Sequence, residues 1–178
     1  MKNLNEISIE EIKGKRIYLA YGSNLNLKQM EERCPTAEVL GKGILKDYEL
    51  VFRGRRKSAV ATIEPLKNGK VPILLWTIEK SDEKSLDIYE GYPSFYRKED
   101  IEIQLKDGQI KSMAYIMNGQ KIGEPNEYYF KAIGEGYKSA GFDINILIDA
   151  YLKSKELAEE QDLKDMEDRQ VNFFKMKH

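Results

Sequence analysis

Two short stretches concentrate the groups that could carry chemistry. The first is Tyr21-Gly-Ser-Asn-Leu25, at the end of the apolar, β-branched and aromatic run that begins at Ile17. Such a run predicts a buried strand. Gly22-Ser23-Asn24 should end it in a turn whose backbone N–H groups can point outward together, and residues 25–33 predict a short helix. A strand passing through a glycine turn into a helix start can hold an anion or a developing oxyanion; the same pattern is also an ordinary strand-to-helix connection. The second stretch is Leu86-Asp-Ile-Tyr-Glu-Gly-Tyr-Pro-Ser-Phe-Tyr-Arg97. Here one carboxylate, Glu90, stands among Leu86, Ile88, Tyr89, Tyr92, Pro93, Phe95 and Tyr96. A glutamate in a helix's last turn is ordinarily solvated. Enclosed by these groups it would lose hydration, its pKa would rise, and it could exchange protons near neutral pH.

What is missing narrows the chemistry further. The only histidine is His178 and the only cysteine is Cys34. That argues against serine, cysteine or zinc hydrolases built on a histidine base, and it leaves no structural zinc site and no internal disulfide. Carboxylates, tyrosines, backbone groups or a lone nucleophile remain. Ser23 lacks the second glycine of a nucleophile elbow and has no histidine to activate it, so binding is its better role. Cys34, next to Pro35, reads as a small packing residue. Gly134-Glu-Gly136 sits late in a helical pattern rather than after a strand, which argues against a dinucleotide fingerprint.

The elements that must position these groups follow from composition and pattern. With 178 residues, 41% of them apolar, the chain can bury a sizeable core as one domain. A net charge of −1 argues against bulk attraction to nucleic acid or a membrane. No apolar run approaches a membrane span, and Met1 to Glu6 lack the apolar core of a signal peptide. The expectation is a cytoplasmic protein, for which a single cysteine suits a reducing compartment. Residues 1–15 predict a turn or two of helix, with Ser8 and Glu11 as a capping box. Residues 37–45 and 48–53 read as two strands joined around Lys46-Asp47, with Gly41 and Gly43 marking a bulge or strong curvature. The basic run at 53–57 reads as a solvated loop, or as a cavity mouth that attracts an anion. Residues 58–64 and 71–78 read as strands of a hairpin turning at Asn68-Gly69. Residues 81–89 predict a helix capped by Ser81 and ended by Gly91 in a left-handed conformation. A hairpin through Lys106-Asp-Gly108, a helix over 126–139 and a final helix from about Asp143 into the 160s complete the chain. That last helix becomes densely charged beyond Lys153, and the apolar cluster Val171, Phe173, Phe174 and Met176 must then cover the domain or a partner. Short strands with few helices and no βαβ alternation predict an α+β fold, with a curved sheet or small barrel and helices at its ends.

Taken together, and at their spacing, the two stretches resemble the γ-glutamylcyclotransferase-like family, which includes the AIG2-like proteins. The resemblance runs from about Arg16 to Tyr151. It leaves residues 1–15 as an N-terminal extension and 152–178 as a charged C-terminal helical extension of a single domain. It implies a small curved mixed β-barrel with helices packed around its ends, and a cofactor-independent, metal-free enzyme. By the same resemblance, Glu90 is the catalytic acid/base. Tyr21, Gly22, Ser23, Asn24 and Leu25 form the loop that holds the glutamyl group, and Tyr96, Tyr115 and Tyr129 line the cavity. Tyr128 competes with Tyr129, which fits better because Ile133 and Gly136 follow at the family's spacing. Arg97 has two roles open: binding a carboxylate, or pairing with an acid such as Asp87.

The implied substrate is a small γ-glutamyl amine or amino acid, whose own α-amine closes onto the γ-carbonyl to give 5-oxoproline and a free amine. Such a reaction needs no histidine. Release of a γ-glutamyl protecting group from a biosynthetic product is a related possibility; a non-catalytic ligand-binding or interaction protein on the same scaffold is the alternative. The glutathione-specific subfamily usually carries a Gly-Tyr-Gly-Ser-Leu loop, so Asn24 points to a different donor. The leaving amine and the oligomeric state, monomer or homodimer, stay open.

Overall fold

The computed structural model describes residues 1–175, which form five strands and four α-helices. In chain order these are β1 (Arg16–Ala20), α1 (Leu27–Arg33), β2 (Glu38–Arg55), β3 (Ser58–Ile78), α2 (Lys80–Glu90), β4 (Tyr96–Leu105), β5 (Gly108–Met117), α3 (Glu127–Ala140) and α4 (Ile144–Lys175). The strands make one mixed sheet in the order β2-β3-β1-β5-β4. β1 lies at its centre, antiparallel to β3 with Arg16 opposite Ile78 and Ala20 opposite Leu74, and parallel to β5. Flanked on both sides, its residues 17–20 are all buried, which is why it reads as a continuous apolar run rather than an alternating one. The sheet curls so that β3 also meets the end of β5, where Met117 N–H donates to Thr62 Oγ1 at 3.1 Å.

The structure corrects the strand count. The two pairs of short strands are two long strands, β2 and β3, paired with each other over most of their length. Asn68 does take the left-handed conformation that an Asn-Gly turn favours, with φ 64°, and its N–H donates to Asp47 Oδ1 at 2.9 Å. The chain does not reverse there, however. Pairing with β2 stops at Tyr48–Pro65 and resumes at Lys46–Lys70 in the same direction, so residues 66–69 bulge out opposite Asp47 alone. Local turn chemistry was sound, and the neighbouring strand overrode its use as a hairpin. The 105–108 hairpin forms as expected.

Helix termini fix the parts of the fold that matter for function. α2 starts earlier than Ser81: Glu79 is its cap, and its N–H donates to the buried Asp82 carboxylate at 3.0 Å, which also accepts from Thr36 Oγ1 at 2.6 Å. The acid three residues into the helix therefore sets the start. At the other end Gly91 is left-handed (φ 63°) and Tyr92 N–H returns to the Asp87 carbonyl at 2.9 Å, so the helix stops immediately after Glu90. The turn after β1 is a 3₁₀ turn, Ser23–Leu25, and α1 follows with Asn26 as its cap, Oδ1 accepting from Gln29 N–H at 3.2 Å.

Residues 1–15 pack Leu4, Ile7 and Ile12 into the core, with the Ser8 and Glu11 bonds of a capping box in place. α4 would extend about 48 Å at the ordinary rise per residue. Ser154 Oγ accepts from Phe52 N–H at 3.1 Å, and Asp162 and Asp165 pair with Arg56 and Lys121. Within the basic run Arg53 pairs with Glu64 and Arg56 with Asp162, tying it to the sheet and α4, while Arg55 and Lys57 are exposed as a solvated loop would leave them. Val171 and Phe173 remain half exposed or more; Met176 lies outside the described residues.

α3 presses its Gly136 against the turn that follows β1. A methyl group there would lie 2.6 Å from Leu25 Cβ and 2.7 Å from the Leu25 carbonyl carbon, a backbone atom that cannot yield cheaply. Gly136→Ala should therefore destabilise the protein by about 1–3 kcal/mol, seen as a lower denaturant midpoint at an unchanged m-value. An unaltered midpoint would show that α3 and the turn are not in tight contact.

Candidate active site

Where β1 ends, the chain enters a cavity of about 220 Å³ whose walls include Tyr18, Tyr21, Gly22, Ser23, Asn24, Glu90, Tyr96, Tyr115 and Tyr129. Six elements thus converge there: β1 and its turn, β3 through Val60 and Ala61, the end of α2, β4, β5 and α3. The first bonds of the 3₁₀ turn are donated by Leu25 to the Gly22 carbonyl and by Asn26 to the Ser23 carbonyl, both at 3.0 Å. The turn's own ladder therefore leaves over the amides of Ser23 and Asn24.

Asn24 is the polar hub. Its buried amide donates from Nδ2 to Glu90 Oε1 at 3.0 Å and to Tyr18 OH at 2.7 Å, while its Oδ1 accepts from Arg33 Nη1. Arginine has no acceptor, so the carbonyl oxygen must face Arg33 and the NH₂ must face the carboxylate. The Arg33 guanidinium lies over the Tyr89 ring, 3.4 Å from its centre, and Tyr89 OH is 2.9 Å from Ser23 Oγ. Glu90 is half-buried and lines the cavity. Loss of hydration, the largest influence, pushes its carboxyl up to about 7; the positive charge of Arg33 and the Asn24 hydrogen bond pull the other way.

The tyrosines are held by the backbone. Tyr21 OH donates to the Tyr115 carbonyl. Tyr96 OH donates to the Ala61 carbonyl at 2.6 Å, and Tyr129 OH accepts from Ala61 N–H at 3.1 Å. Tyr115 OH donates to Asp87 Oδ1 at 2.5 Å, and Asp87 in turn pairs with Lys98. Burial raises the hydroxyl pKa of Tyr18, Tyr21, Tyr96, Tyr115 and Tyr129, so all five are neutral near pH 7.

Several sequence expectations sort themselves here. Tyr21, Gly22, Ser23, Asn24, Glu90, Tyr96, Tyr115 and Tyr129 meet at this cavity; Leu25 lies behind the turn, fully buried beneath Gly136. Tyr128 is 78% exposed and does not line it. The aromatic crowd adjacent to Glu90 in sequence encloses it only in part: Tyr89, Phe95 and Tyr96 line the cavity, whereas Ile88 is 83% exposed and Leu86 belongs to the core. Arg97 takes the structural role rather than lining the cavity, pairing with the acid Glu99 in place of Asp87 and donating to the Met117 carbonyl. The basic run does not line the cavity either. Cys34 is buried with its thiol pushed up to about 11, chiefly by burial, in keeping with packing.

Tyr18 and Arg33 escaped the sequence reading. Strand alternation puts Tyr18 and Tyr21 on opposite faces; because β1 ends at Ala20, both reach the cavity. For Arg33, its place one helical segment after the glycine turn was the available signal. Among the described residues no three His, Cys, Asp or Glu side chains converge as a metal-ligand set, and no helix is long and apolar enough to cross a membrane.

Comparison with known proteins points one way. The profile of the family described as "Gamma-glutamyl cyclotransferase, AIG2-like" matches residues 18–133. The chain is 31% identical over 134 residues to a mouse protein named gamma-glutamylcyclotransferase, covering 70% of this chain and 71% of that one. Its human counterpart, with the same name, is 29% identical over 137 residues, covering 72% and 73%. A solved structure of a gamma-glutamyl cyclotransferase superposes with a TM-score of 0.68 at 27% identity, over 76% of this chain and 86% of the other. With the cavity formed by the very stretches that this profile spans, the chain belongs to the gamma-glutamyl cyclotransferase, AIG2-like family of enzymes.

Proposed function

We propose that this protein converts a γ-glutamyl amine or γ-glutamyl amino acid to 5-oxoproline and the free amine, with Glu90 as the acid/base. The observation that carries the reading is the Glu90 carboxylate, dehydrated until its pKa reaches about 7 and aimed by Asn24 into a cavity beside the β1 turn. A group with that pKa is present in both protonation states near neutrality, as a proton carrier must be.

The chemistry divides simply between substrate and protein. The substrate's α-amine attacks its own γ-carbonyl carbon, a new C–N bond closes the five-membered ring, and the original amide C–N bond breaks. Glu90 takes a proton from the attacking nitrogen and returns one to the departing nitrogen, so it ends as it began. Ser23 and Asn24 amides, with Gly22 giving close access, would hold the glutamyl carboxylate or the oxyanion. The tyrosines shape the space so that the chain of the donor is folded for attack, which converts ring closure into a favourable intramolecular step. Cofactor and metal have no part in these steps.

Incubation with a panel of γ-glutamyl donors, followed by mass spectrometry of 5-oxoproline, tests this. Wild type should release it, with kcat/KM rising through about pH 7 as Glu90 deprotonates, and Glu90→Gln should lower kcat by about 10²–10⁴-fold. Undiminished turnover by the variant would remove Glu90 as the base.

Stability offers a second check that needs no substrate. The folded pKa of Glu90 lies above its usual value of 4.5, at about 7. The native state therefore binds more protons than the unfolded chain between those values, and stability falls as pH rises through that window. Glu90→Gln removes this dependence. It should be more stable than wild type at pH 8, by on the order of 2 kcal/mol, with the advantage gone at pH 4. Equal thermal shifts at both pH values would contradict a dehydrated carboxylate.

A further inference from the structure

Among the described residues one cation beside the cavity reaches an anion only through a neutral amide. Arg33 spends Nη1 on Asn24 and one face of its guanidinium on Tyr89, and among the described residues it makes no ion pair. A guanidinium has five N–H donors, so much of its edge is unengaged. Arg33 also lines a second, outer cavity of about 440 Å³, together with Gln29, Glu32, Tyr89, Tyr128 and Tyr129. Tyr89 and Tyr129 belong to both cavities. The two spaces therefore adjoin across a pair of phenol rings, with the Ser23–Tyr89 contact at the boundary.

We propose that the outer cavity receives the leaving half of the donor and that Arg33 binds a carboxylate there, so that a γ-linked α-amino acid is a better donor than the matching simple amine. This rests on the cyclotransferase reading. Glu90 must reach the nitrogen that departs, so the rest of the leaving group continues outward past Glu90. On the helix, the residue before Glu90 is Tyr89, which walls the outer cavity. In an α-amino acid the carboxylate is one carbon removed from the departing nitrogen, and Arg33 is one side chain, Asn24, removed from Glu90. The glutamyl carboxylate lies at the opposite end of the donor, inside the inner cavity, whose lining does not include Arg33. Stacking on Tyr89 holds the guanidinium plane in advance, which suits it to a planar, bidentate partner. Glu32, exposed on the same rim, opposes an anion there.

Two donors that differ only in the carboxylate decide the matter: γ-glutamylalanine and γ-glutamylethylamine, assayed for kcat and KM by 5-oxoproline release. Wild type should favour γ-glutamylalanine about tenfold or more in kcat/KM, mainly through KM. Arg33→Met, which keeps a side chain over Tyr89, should erase that preference, and Glu32→Gln should enlarge it. Equal use of both donors by wild type, or an equal loss on both donors in Arg33→Met, would overturn the subsite; in the second case Arg33 merely props Asn24. Absence of 5-oxoproline from both donors would instead bring down the cyclotransferase reading, and the subsite with it.

Discussion

The hydrogen bond from Asn24 to Glu90 joins parts of the chain 66 residues apart, and the electrostatics of the cavity turn on it. A carboxylate withdrawn from water is destabilised by several kcal/mol unless paired, and one hydrogen bond to a charged group restores only about 1.5–3 kcal/mol. Partial compensation is the useful outcome. A direct ion pair with Arg33 would hold the carboxyl below the usual range and make it a poor base, while no partner at all would leave it protonated. Placing the neutral Asn24 amide between guanidinium and carboxylate transmits part of the positive charge and yields a group that titrates near 7. The same bond fixes the turn, since Asn24 can satisfy Arg33 and Glu90 together in only one orientation.

The tyrosines serve a different end from the one their number suggests. Tyr21, Tyr96 and Tyr129 direct their hydroxyls at backbone groups of Tyr115 and Ala61, and Tyr115 directs its own at Asp87. These hydroxyls are occupied, and burial keeps them neutral. They act as struts that tie the turn after β1 to β5, β4 to β3, α3 to β3 and β5 to α2, leaving aromatic faces as a wall around Glu90. The low dielectric that raises the Glu90 pKa and the rigidity of the cavity are thus one feature.

This also explains what the sequence could and could not reveal. β1, the Gly22-Ser23-Asn24 turn, the end of α2 at Gly91 and the 105–108 hairpin were legible because each depends on residues close in the chain. Glu90 was legible through its motif, but its enclosure was misattributed. Ile88 and Tyr92 do not line the cavity, and what Tyr89, Phe95 and Tyr96 leave open is closed by groups from β1, β3, β5 and α3, which no local pattern links to α2. The Asn68-Gly69 bulge failed for the same reason: its local geometry was right, and only pairing with β2 decides whether the chain reverses. Arg33 was invisible because a cation at the end of a short helix looks like any surface charge until Asn24 and Tyr89 are seen against it.

A site without a nucleophile or histidine of its own is sufficient if the substrate brings its nucleophile along. Ring closure from a correctly folded donor gains an effective molarity that no side chain here needs to supply. What remains for the protein is to restrict the donor's conformations, exclude water and move one proton. In the proposed reaction the strutted tyrosines would meet the first two demands, and a carboxylate poised near 7 the third. On this division of labour the inner cavity is constrained by ring geometry common to every γ-glutamyl donor. The outer rim, formed by α1 and the start of α3, is free to change with the leaving group. Specificity should therefore be sought in the side chains around Arg33 rather than in those that touch Glu90.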